Sequence, residues 1–362
     1  MPTLFDPIQL GAIAAPNRIL MAPLTRGRGT RAHVPTDLMI DYYRQRASAG
    51  LIITEATGIS QEGLGWPYAP GLWTDEQVEA WKPVTAAVHE AGGRIAAQLW
   101  HMGRIVHSSL GGGQPVSASA TTAPGKAHTY DGKQPYEEAR PLALAEIPRL
   151  LDEYRRAAAN AIRAGFDGVQ LHAANGYLID QFLRDNSNFR DDAYGGSIDN
   201  RTRLLDEVTR AIVEVVGAGR TGVRLSPNGD SQGVNDSQPV ALFTAAAAKL
   251  DAIGIAFLEL REPPADGSFG RSDVPAVSPD IRTVFRHPLV LNSDYTAERA
   301  QAALDGGVAD AIAFGRAFLA NPDLPHRLAG DLPLNPDDMA TWYGGGAEGY
   351  TDYPFAGETV AA

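Results

Sequence analysis

Residues 146–177 read EIPRLLDEYRRAAANAIRAGFDGVQLHAANGY and predict, in succession, a helix, a buried strand and a polar turn. Apolar residues recur at helical spacing over Glu146–Ala164, and Gly165 supplies a helix stop signal. The apolar run Gly168–Leu171 that follows is typical of a buried strand. A helix that leads directly into such a strand is the repeating unit of a parallel α/β fold.

The same alternation of short apolar strands and longer amphipathic or alanine-rich helices continues over most of the 362 residues. Eight strands are predicted, which is the number that closes a parallel (β/α)8 TIM barrel. A doubly wound sheet is the alternative, but no G-x-G-x-x-G follows the first strand and the composition does not change at half length. The predicted strands are Ile19–Ala22, Leu51–Ala56, Arg94–Leu99, Gly168–Leu171, Gly222–Leu225, Ala256–Leu260, Leu289–Asn292 and Ala311–Phe314. The predicted helices are Asp75–Glu90, Glu146–Ala164, Arg201–Val216, Pro239–Ile253 and Thr296–Leu304.

Three stretches interrupt this alternation. The first, over about 103–144, follows strand 3, and the second, Arg261–Val277, follows strand 6. Because insertions after barrel strands lie on the catalytic face, we predict a capping subdomain and a mobile lid loop. A long surface loop without a role is the alternative. The third stretch is a tail over about 333–362, and we predict that residues 1–362 form a single domain.

The composition argues against several classes of function. The net charge is -12 and only four lysines occur, so the surface repels phosphate backbones and nucleic acid is not an expected partner. No apolar run approaches the roughly 18 residues of a membrane span, and no basic-then-apolar leader opens the chain. We therefore expect a cytoplasmic protein without a membrane partner. Without cysteine, a thiolate nucleophile and a Cys-ligated metal are excluded.

The residues at the strand ends argue against two common barrel chemistries. No lysine ends a strand, which disfavours a Schiff-base aldolase. The acidic candidates Glu55, Glu259 and Asp294 come from separate strands, and no paired-histidine ligand motif is present, so no metal site is predicted. His101 and His107 lack the spacing of two ligands on one helix face, and we interpret both as structural.

Two arginines at strand ends are candidate anion-binding groups. Gly315 and Arg316 follow the last strand, where barrels frequently bind phosphate. The alternative is a turn that opens a helix and leaves the arginine solvated. Arg224 lies in a run that should be buried, and a buried guanidinium needs an acceptor-rich partner. That partner is either Glu259 on the neighbouring strand or a ligand on which negative charge accumulates.

A cluster of donors and a phenol follows the fourth strand. His172 and Asn175 are donors three residues apart, and Tyr177 comes two residues later. A donor pair can hold a carbonyl or nitro oxygen and a phenol can give up a proton, so the cluster suggests reduction or proton transfer on an electron-poor substrate. Thr25 and Gln98 end apolar strands and can hydrogen-bond the edge of a heterocycle. Taken singly, each of these side chains is more often a cap, turn or core residue, whereas the three residues of the cluster together favour chemistry.

Several longer motifs resemble the old yellow enzymes, which are FMN-dependent ene and nitroester reductases on a (β/α)8 barrel. The resemblance runs from Thr3 to Pro354. Within the family, the chain most resembles the bacterial nitroester and N-ethylmaleimide reductase branch. Its motifs are NRILMAPLTR at 17–26, YYRQRA at 42–47, QLWHMGR at 98–104, the segment 165–177, NR at 200–201, AFGR at 313–316, YGGG at 343–346 and GYTDYP at 349–354.

The resemblance implies bound FMN, a hydride donor that is NADPH or NADH, and roles for individual residues. His172 and Asn175 would anchor the substrate oxygen, and Tyr177 would be the proton donor. Arg224 would face the flavin where charge builds on reduction. The implied flavin contacts are Pro23, Leu24, Thr25, Ala56, Gln98, Arg224 and Asn292, and the implied phosphate contacts are Ser293, Gly315 and Arg316. The implied substrate pocket adds Trp66, Trp100, Tyr343 and, on the lid loop, Phe269.

The activity implied by the resemblance is an NAD(P)H:FMN oxidoreductase that passes a hydride to the β-carbon of an activated alkene. Enones, enals, maleimides and nitroalkenes are the expected substrates, with nitroesters as a further class, and the expected assembly is a monomer or small homo-oligomer. Two alternatives stay open. One is a flavin-free barrel isomerase or lyase, and the other is a flavoprotein that acts mainly as an NADPH oxidase or stress-related binder.

The chain departs from the family pattern at two places. Many bacterial relatives carry a second histidine where this chain has Asn175, although other members also use asparagine. Relatives usually show alanine and glycine around Asn292–Asp294, whereas this chain has Asn-Ser-Asp. A carboxylate that faced a phosphate would weaken its binding, so we expect Asp294 to point away from the phosphate site.

Overall fold

The computed structural model describes residues 1–268 and 270–358 and shows eight parallel strands closed into a barrel. Strand pairing is parallel between all neighbours, and the last strand pairs with the first. The barrel confirms the predicted fold and rules out the doubly wound sheet. Each predicted strand lies within two residues of an observed one. The barrel strands are β1 Ile19–Met21, β2 Ile52–Gly58, β3 Ile95–Trp100, β4 Gly168–His172, β5 Thr221–Leu225, β6 Phe257–Arg261, β7 Leu289–Asn292 and β8 Ala311–Phe314.

All five predicted helices are present within two residues of their predicted bounds. They are Asp75–Glu90, Ile147–Arg163, Arg203–Val216, Pro239–Ile253 and Ala297–Asp305. Short helices without a long periodic pattern escaped the sequence analysis. These are Asp37–Gln45, Leu178–Leu183, Ile198–Arg201, Ser278–Val284, Arg316–Ala320 and Leu324–Ala329, with 3-10 turns at Ser108–Leu110, Leu144–Glu146, Ala218–Arg220 and Met339–Thr341.

A two-stranded hairpin, Ile8–Leu10 with Ile13–Ala15, covers the N-terminal end of the barrel and was not predicted. The backbone N–H of Ala12 donates to the carbonyl of Gly219, just before β5, at 2.7 Å. The apolar side of the hairpin packs with the side chains that fill the barrel interior. Because this end is plugged, a ligand must enter from the carboxyl ends of the strands.

The insertion after β3 forms two small sheets that reach the open end of the barrel. One is the antiparallel hairpin Lys126–Thr129 and Gly132–Pro135, and the other pairs Val116–Ser117 with Arg140–Pro141 in parallel. The hairpin places the His128 ring 4.4 Å from the Trp66 ring, which lines the cavity described below. The insertion therefore caps the catalytic face, as predicted.

The lid loop begins inside β6 and is fastened at both ends. The Asn228 side chain donates to the backbone carbonyls of Pro263 at 3.1 Å and Val274 at 3.2 Å. The Glu262 carboxylate accepts the backbone N–H of Val277 at 2.6 Å. These contacts fix where the loop leaves and rejoins the barrel; its mobility stays a prediction. Phe269, predicted to line the pocket, lies outside the described residues.

The tail returns to the barrel and is tied to the loop after β1. The buried Arg26 guanidinium donates to the carbonyls of Trp342 at 2.8 Å and Gly349 at 2.6 Å. The rings of Tyr42 and Tyr350 stack beside it, 4.0 Å apart. This packing brings Trp342 and Tyr343 to the open end of the barrel. Over residues 1–268 and 270–358, no helix is long and apolar enough to cross a membrane.

Candidate active site

A cavity of about 740 Å³ opens at the carboxyl ends of the barrel strands, where barrel enzymes carry their active sites. Its volume lies in the range of small-molecule and cofactor sites, about 300–1,000 Å³. Most of the predicted site residues line it together, although they come from seven separate segments of the chain. They are Pro23, Leu24, Thr25, Trp66, Asn175, Tyr177, Arg224, Asn292, Ser293, Gly315, Arg316 and Tyr343.

The other predicted residues lie in the layer of side chains directly beneath or behind the cavity wall. Trp100 and His172 are buried against the Tyr177 ring, and Gln98 is buried among the barrel strands. Ala56 is buried at the end of β2 and packs in the same cluster as Trp100. The lining residues that the sequence analysis did not select include Arg261 and Gln232. Arg261 could have been selected from the sequence, because it is a charged residue directly after a predicted apolar strand.

Three rings form the centre of the site. The ring centroids of His172 and Tyr177 are 4.8 Å apart with nearly perpendicular planes. The Trp100 and Tyr177 centroids are 5.0 Å apart, also edge to face. Offset and edge-to-face arrangements are the favoured geometry for aromatic pairs, so the packing holds the phenol at a fixed angle to the imidazole.

His172 is a neutral donor in this environment. Burial, and then the positive charges of Arg224 and Arg261, hold the pKa of His172 well below its usual value. Its Nδ1 accepts the backbone N–H of Ala174 at 3.4 Å, so the single proton of the neutral ring resides on Nε2. The imidazole can therefore offer Nε2–H to an oxygen without carrying a charge.

Asn175 is held by its backbone, which leaves its side chain available. Its φ is 59°, a left-handed conformation that asparagine adopts more readily than most residues. The backbone N–H donates to the Ser226 hydroxyl at 2.8 Å, and the backbone carbonyl accepts the Gln232 side chain at 2.8 Å. The side-chain oxygen is buried and has no hydrogen-bond partner among the residues that the structure describes. The oxygen only accepts, whereas the NH2 group of the same amide carries the two N–H donors that a ligand oxygen would need.

Tyr177 stays protonated at neutral pH. Burial raises the pKa of its phenol, and a hydrogen bond with Gln232 lowers it only in part. The turn that carries it is fixed by Asp180, whose carboxylate accepts the Gly176 N–H at 2.9 Å and pairs with Arg184 at 2.7 Å inside the protein. The site therefore contains a positioned neutral acid beside two neutral donors.

A chain of hydrogen bonds and one ion pair crosses the barrel beneath the cavity. The Gln98 amide donates to Gln170 at 2.7 Å, and the Gln170 amide donates to the Glu259 carboxylate at 2.7 Å. Glu259 pairs with Arg224 at 2.9 Å, and Arg224 donates to the Asn292 side-chain oxygen at 2.7 Å. The alternative in which Arg224 pairs with Glu259 is confirmed; Arg224 also lines the cavity, and its contact with a ligand stays a prediction.

Gln170 and the link to Asn292 were not predicted. Gln170 sits two residues before His172, so both side chains lie on the same side of β4. A glutamine inside an apolar strand was the available signal, since buried amides need partners. Its partner could not be read from the sequence because Glu259 lies 89 residues away along the chain.

The loop after β1 is fixed by a buried carboxylate. Glu55 accepts the backbone N–H groups of Arg26 at 3.0 Å and Gly27 at 2.9 Å. These bonds hold Pro23, Leu24 and Thr25 against the cavity. Within the described ranges, no group of three or more histidine and acidic side chains is placed to hold a metal ion.

The predicted anion-binding corner contains an internal ion pair. The Asp294 carboxylate lies 2.5 Å from the Arg316 guanidinium, so the expectation that Asp294 points away from this corner is wrong. The reason is the backbone, because φ is 125° at Ser293 and 48° at Asp294, which turns the aspartate back toward β8. Gly315 leaves room on the cavity side, where an added β-carbon would meet Leu24 at 3.5 Å.

Comparison with known proteins identifies a common family. Residues 3–335 match the model of the NADH:flavin oxidoreductase / NADH oxidase family. An old yellow enzyme homologue from Zymomonas mobilis is 64% identical, with a TM-score of 0.97 over 98% of this chain and 99% of that chain. Morphinone reductase in complex with tetrahydroNAD is 47% identical, with a TM-score of 0.92 and 98% of both chains covered. A putative 12-oxophytodienoate reductase from Oryza sativa subsp. japonica is 42% identical over 98% of this chain and 93% of its own length.

Proposed function

Because the chain belongs to the NADH:flavin oxidoreductase / NADH oxidase family, as an old yellow enzyme that uses FMN and a nicotinamide donor, we propose that it reduces activated alkenes. Enones, enals, maleimides and nitroalkenes are the proposed substrates, with nitroesters as a further class. The observation that carries the proposal is the placement of the Asn175 amide and protonated Tyr177 at one cavity wall, with the neutral His172 ring packed directly behind Tyr177. These are the groups needed to hold an oxygen and deliver a proton.

The residues around the cavity fit FMN. Arg224 presents a positive charge that is held between Glu259 and Asn292, which suits the side of a ring system that gains negative charge. Gly315 leaves space for close approach of a ligand, and Arg316 supplies a guanidinium fork for a phosphate. We propose that Ser293, Gly315 and Arg316 hold the phosphate. The proposed ring contacts are Pro23, Leu24, Thr25, Ala56, Gln98, Arg224 and Asn292. When bound, FMN accepts a hydride from NAD(P)H and supplies it to the β-carbon of the alkene.

His172 and Asn175 orient and polarise the substrate. Nε2–H of His172 and the Asn175 amide donate to the carbonyl or nitro oxygen of the alkene. Both donors are neutral, so they stabilise negative charge that develops on that oxygen without first forming an ion pair with the ground state. The loss of one such donor costs on the order of 3 kcal/mol in other enzymes.

Tyr177 supplies the proton that completes the reduction. Its phenol is protonated at neutral pH and is held edge-on to the His172 ring. A substrate whose oxygen is bound by the donor pair would have its α-carbon near the phenol, so Tyr177 protonates that carbon. Trp66, Trp100 and Tyr343 then shape the rest of the pocket, and Phe269 on the lid loop is proposed to join them.

An absorbance experiment tests this function. The purified protein should be yellow, lose its visible absorbance on anaerobic addition of NADPH, and regain it when 2-cyclohexenone is added, with formation of the saturated ketone. A colourless protein with acid–base activity on a carbonyl substrate would favour the flavin-free isomerase or lyase. A reducible flavin that is reoxidised by oxygen but by no enone, maleimide or nitroester would favour the NADPH oxidase.

A further inference from the structure

The Arg316 guanidinium already has an acidic neighbour within the chain. The Asp294 carboxylate lies 2.5 Å from it, and the Ser268 hydroxyl on the lid loop also hydrogen-bonds to it. In the proposed binding mode, the phosphate of FMN needs the same guanidinium. An internal carboxylate therefore stands where a ligand anion would have to bind.

Asp294 is held in this position from both sides. Its carboxylate accepts the backbone N–H of Ser268 at 2.6 Å and the Ser268 hydroxyl at 3.1 Å. The Arg299 guanidinium donates to its backbone carbonyl at 3.3 Å. Ser293 and Asp294 both adopt positive φ, which is unfavourable for residues with a β-carbon and persists only where the surroundings enforce it. The arrangement is therefore built into the fold.

We propose that Asp294 competes with the phosphate of FMN for Arg316 and thereby sets the affinity of the protein for its cofactor. The proposal rests on the placement of the phosphate at Arg316 given above. The lid loop takes part because Ser268 stabilises the carboxylate in the competing position. Binding of FMN then requires that the Asp294 carboxylate move away from the Arg316 guanidinium. Every contact that holds Asp294 beside Arg316 therefore lowers the affinity of the protein for FMN.

The charges favour the phosphate, but at a cost. A phosphate monoester carries about −1.5 to −2 charge at neutral pH and three acceptor oxygens, against one charge on a carboxylate. The phosphate therefore binds the guanidinium in preference to the carboxylate. The displaced carboxylate still repels the phosphate at short range. The side chains of Arg316 and Asp294 are 33% and 15% exposed, so solvent screening limits the effect. We expect a change in affinity of about two- to fivefold when the charge is removed.

The test is the affinity of the FMN-stripped, full-length protein for FMN, measured by quenching of flavin fluorescence at low salt. Asp294→Asn removes the charge and keeps a residue that tolerates a φ of 48°. It should bind FMN about two- to fivefold more tightly than the unmodified protein. Asp294→Gly is a second variant that also accepts this φ and should behave alike. Asp266→Asn, at an exposed position on the same lid loop, controls for net charge and should leave the affinity unchanged.

Arg316→Gln separates the two ways in which the idea can fail. It should weaken FMN binding, and in its presence Asp294→Asn should tighten binding less than it does beside an intact Arg316, because only the direct repulsion between carboxylate and phosphate is then relieved. If Arg316→Gln weakens binding but Asp294→Asn has no effect or also weakens it, the competition is refuted and the phosphate placement survives. If Arg316→Gln leaves FMN affinity unchanged, the placement and the competition both fail.

Discussion

The Glu259 carboxylate lies 2.9 Å from the Arg224 guanidinium, and both side chains are buried between β5 and β6. This ion pair holds the Arg224 guanidinium at the cavity wall. Arg224 still lines the cavity, so its positive charge remains within reach of a ligand. It also sets the direction of the hydrogen bonds that run to Gln98. One buried carboxylate therefore organises both the charge and the polarity of the cavity floor.

Replacing Glu259 should lower the free energy of unfolding much more than the loss of a surface ion pair does. Glu259→Gln leaves the Arg224 guanidinium buried without its counter-charge, so the free energy of unfolding should fall by about 3–5 kcal/mol. Urea denaturation at pH 7 measures this. Asp206→Asn is the matched control, because it removes a helix-surface ion pair with Arg210 and should cost about 0.5 kcal/mol or less. A loss below 1 kcal/mol for Glu259→Gln would show that the pair is not required.

Gln170 should control the orientation of the Gln98 amide. The Glu259 carboxylate, paired with Arg224, only accepts, so Gln170 must turn its amide N–H toward Glu259 and its oxygen toward Gln98. Gln98 then donates to Gln170 and presents its own oxygen elsewhere. Gln170→Leu removes this constraint.

We expect Gln170→Leu to weaken FMN binding about two- to tenfold and to shift the visible spectrum of the bound flavin, since one hydrogen bond is worth about 0.5–1.5 kcal/mol. Flavin titration with absorbance detection measures both. Gln9→Leu, on the exposed hairpin at the opposite end of the barrel, is the control. Unchanged affinity together with an unchanged spectrum would contradict the role.

Acid should destabilise the protein through buried histidines. Burial lowers the pKa of His101 to about 3, and its side chain is fully buried. Because the folded pKa lies below the unfolded value near 6.5, the unfolded state binds the proton first. Stability is therefore complete above about pH 6.5 and is lost as pH falls below it, by up to about 1.4 kcal/mol per pH unit for one group.

Chemical denaturation of the FMN-stripped protein between pH 7 and pH 5 measures this slope. His101→Gln cannot titrate, so its stability should fall less steeply by about 1.4 kcal/mol per pH unit. His326→Gln changes an exposed imidazole and should keep the original slope. Equal slopes for His101→Gln and the unmodified protein would contradict the buried neutral state.

His172 should be required for binding of phenolic ligands. A phenolate oxygen resembles the charged oxygen of the reacting substrate, and His172→Ala removes one of its two donors. Affinity should fall about 10- to 100-fold, because hydrogen bonds to charged groups are worth about 1.5–3 kcal/mol. Spectral titration with 4-hydroxybenzaldehyde measures this, with His107→Ala as the control. An unchanged affinity in His172→Ala would contradict the role as oxygen anchor.

The barrel was predictable because its signal is local. Each apolar run and each helical period is written in consecutive residues, and all eight strands follow from them within two residues. The His172, Asn175 and Tyr177 cluster was predictable for the same reason, since one strand end and one turn carry all three. The longer motifs then resembled a family, which the comparisons confirm.

The remaining features depend on contacts between residues far apart in the chain. The three-residue strands of the N-terminal hairpin are too short for a periodic signal. The partners of Gln170 and Arg224 are set by which strands become neighbours in the closed barrel. The direction of the Asp294 side chain depends on the positive φ angles of Ser293 and Asp294. The residue types at these two positions do not predict such angles.

Tyr177→Phe, compared in the two halves of the reaction, is the most direct test of the division of roles at this site. Stopped-flow measurement should show flavin reduction by NADPH at the unmodified rate, while reoxidation by 2-cyclohexenone slows about 100-fold or more, as expected when a general acid is removed. Tyr136→Phe, a partly buried phenol of the same aromatic cluster, should leave both rates unchanged. Equal slowing of both half-reactions, or no slowing of enone reduction, would contradict Tyr177 as the proton donor.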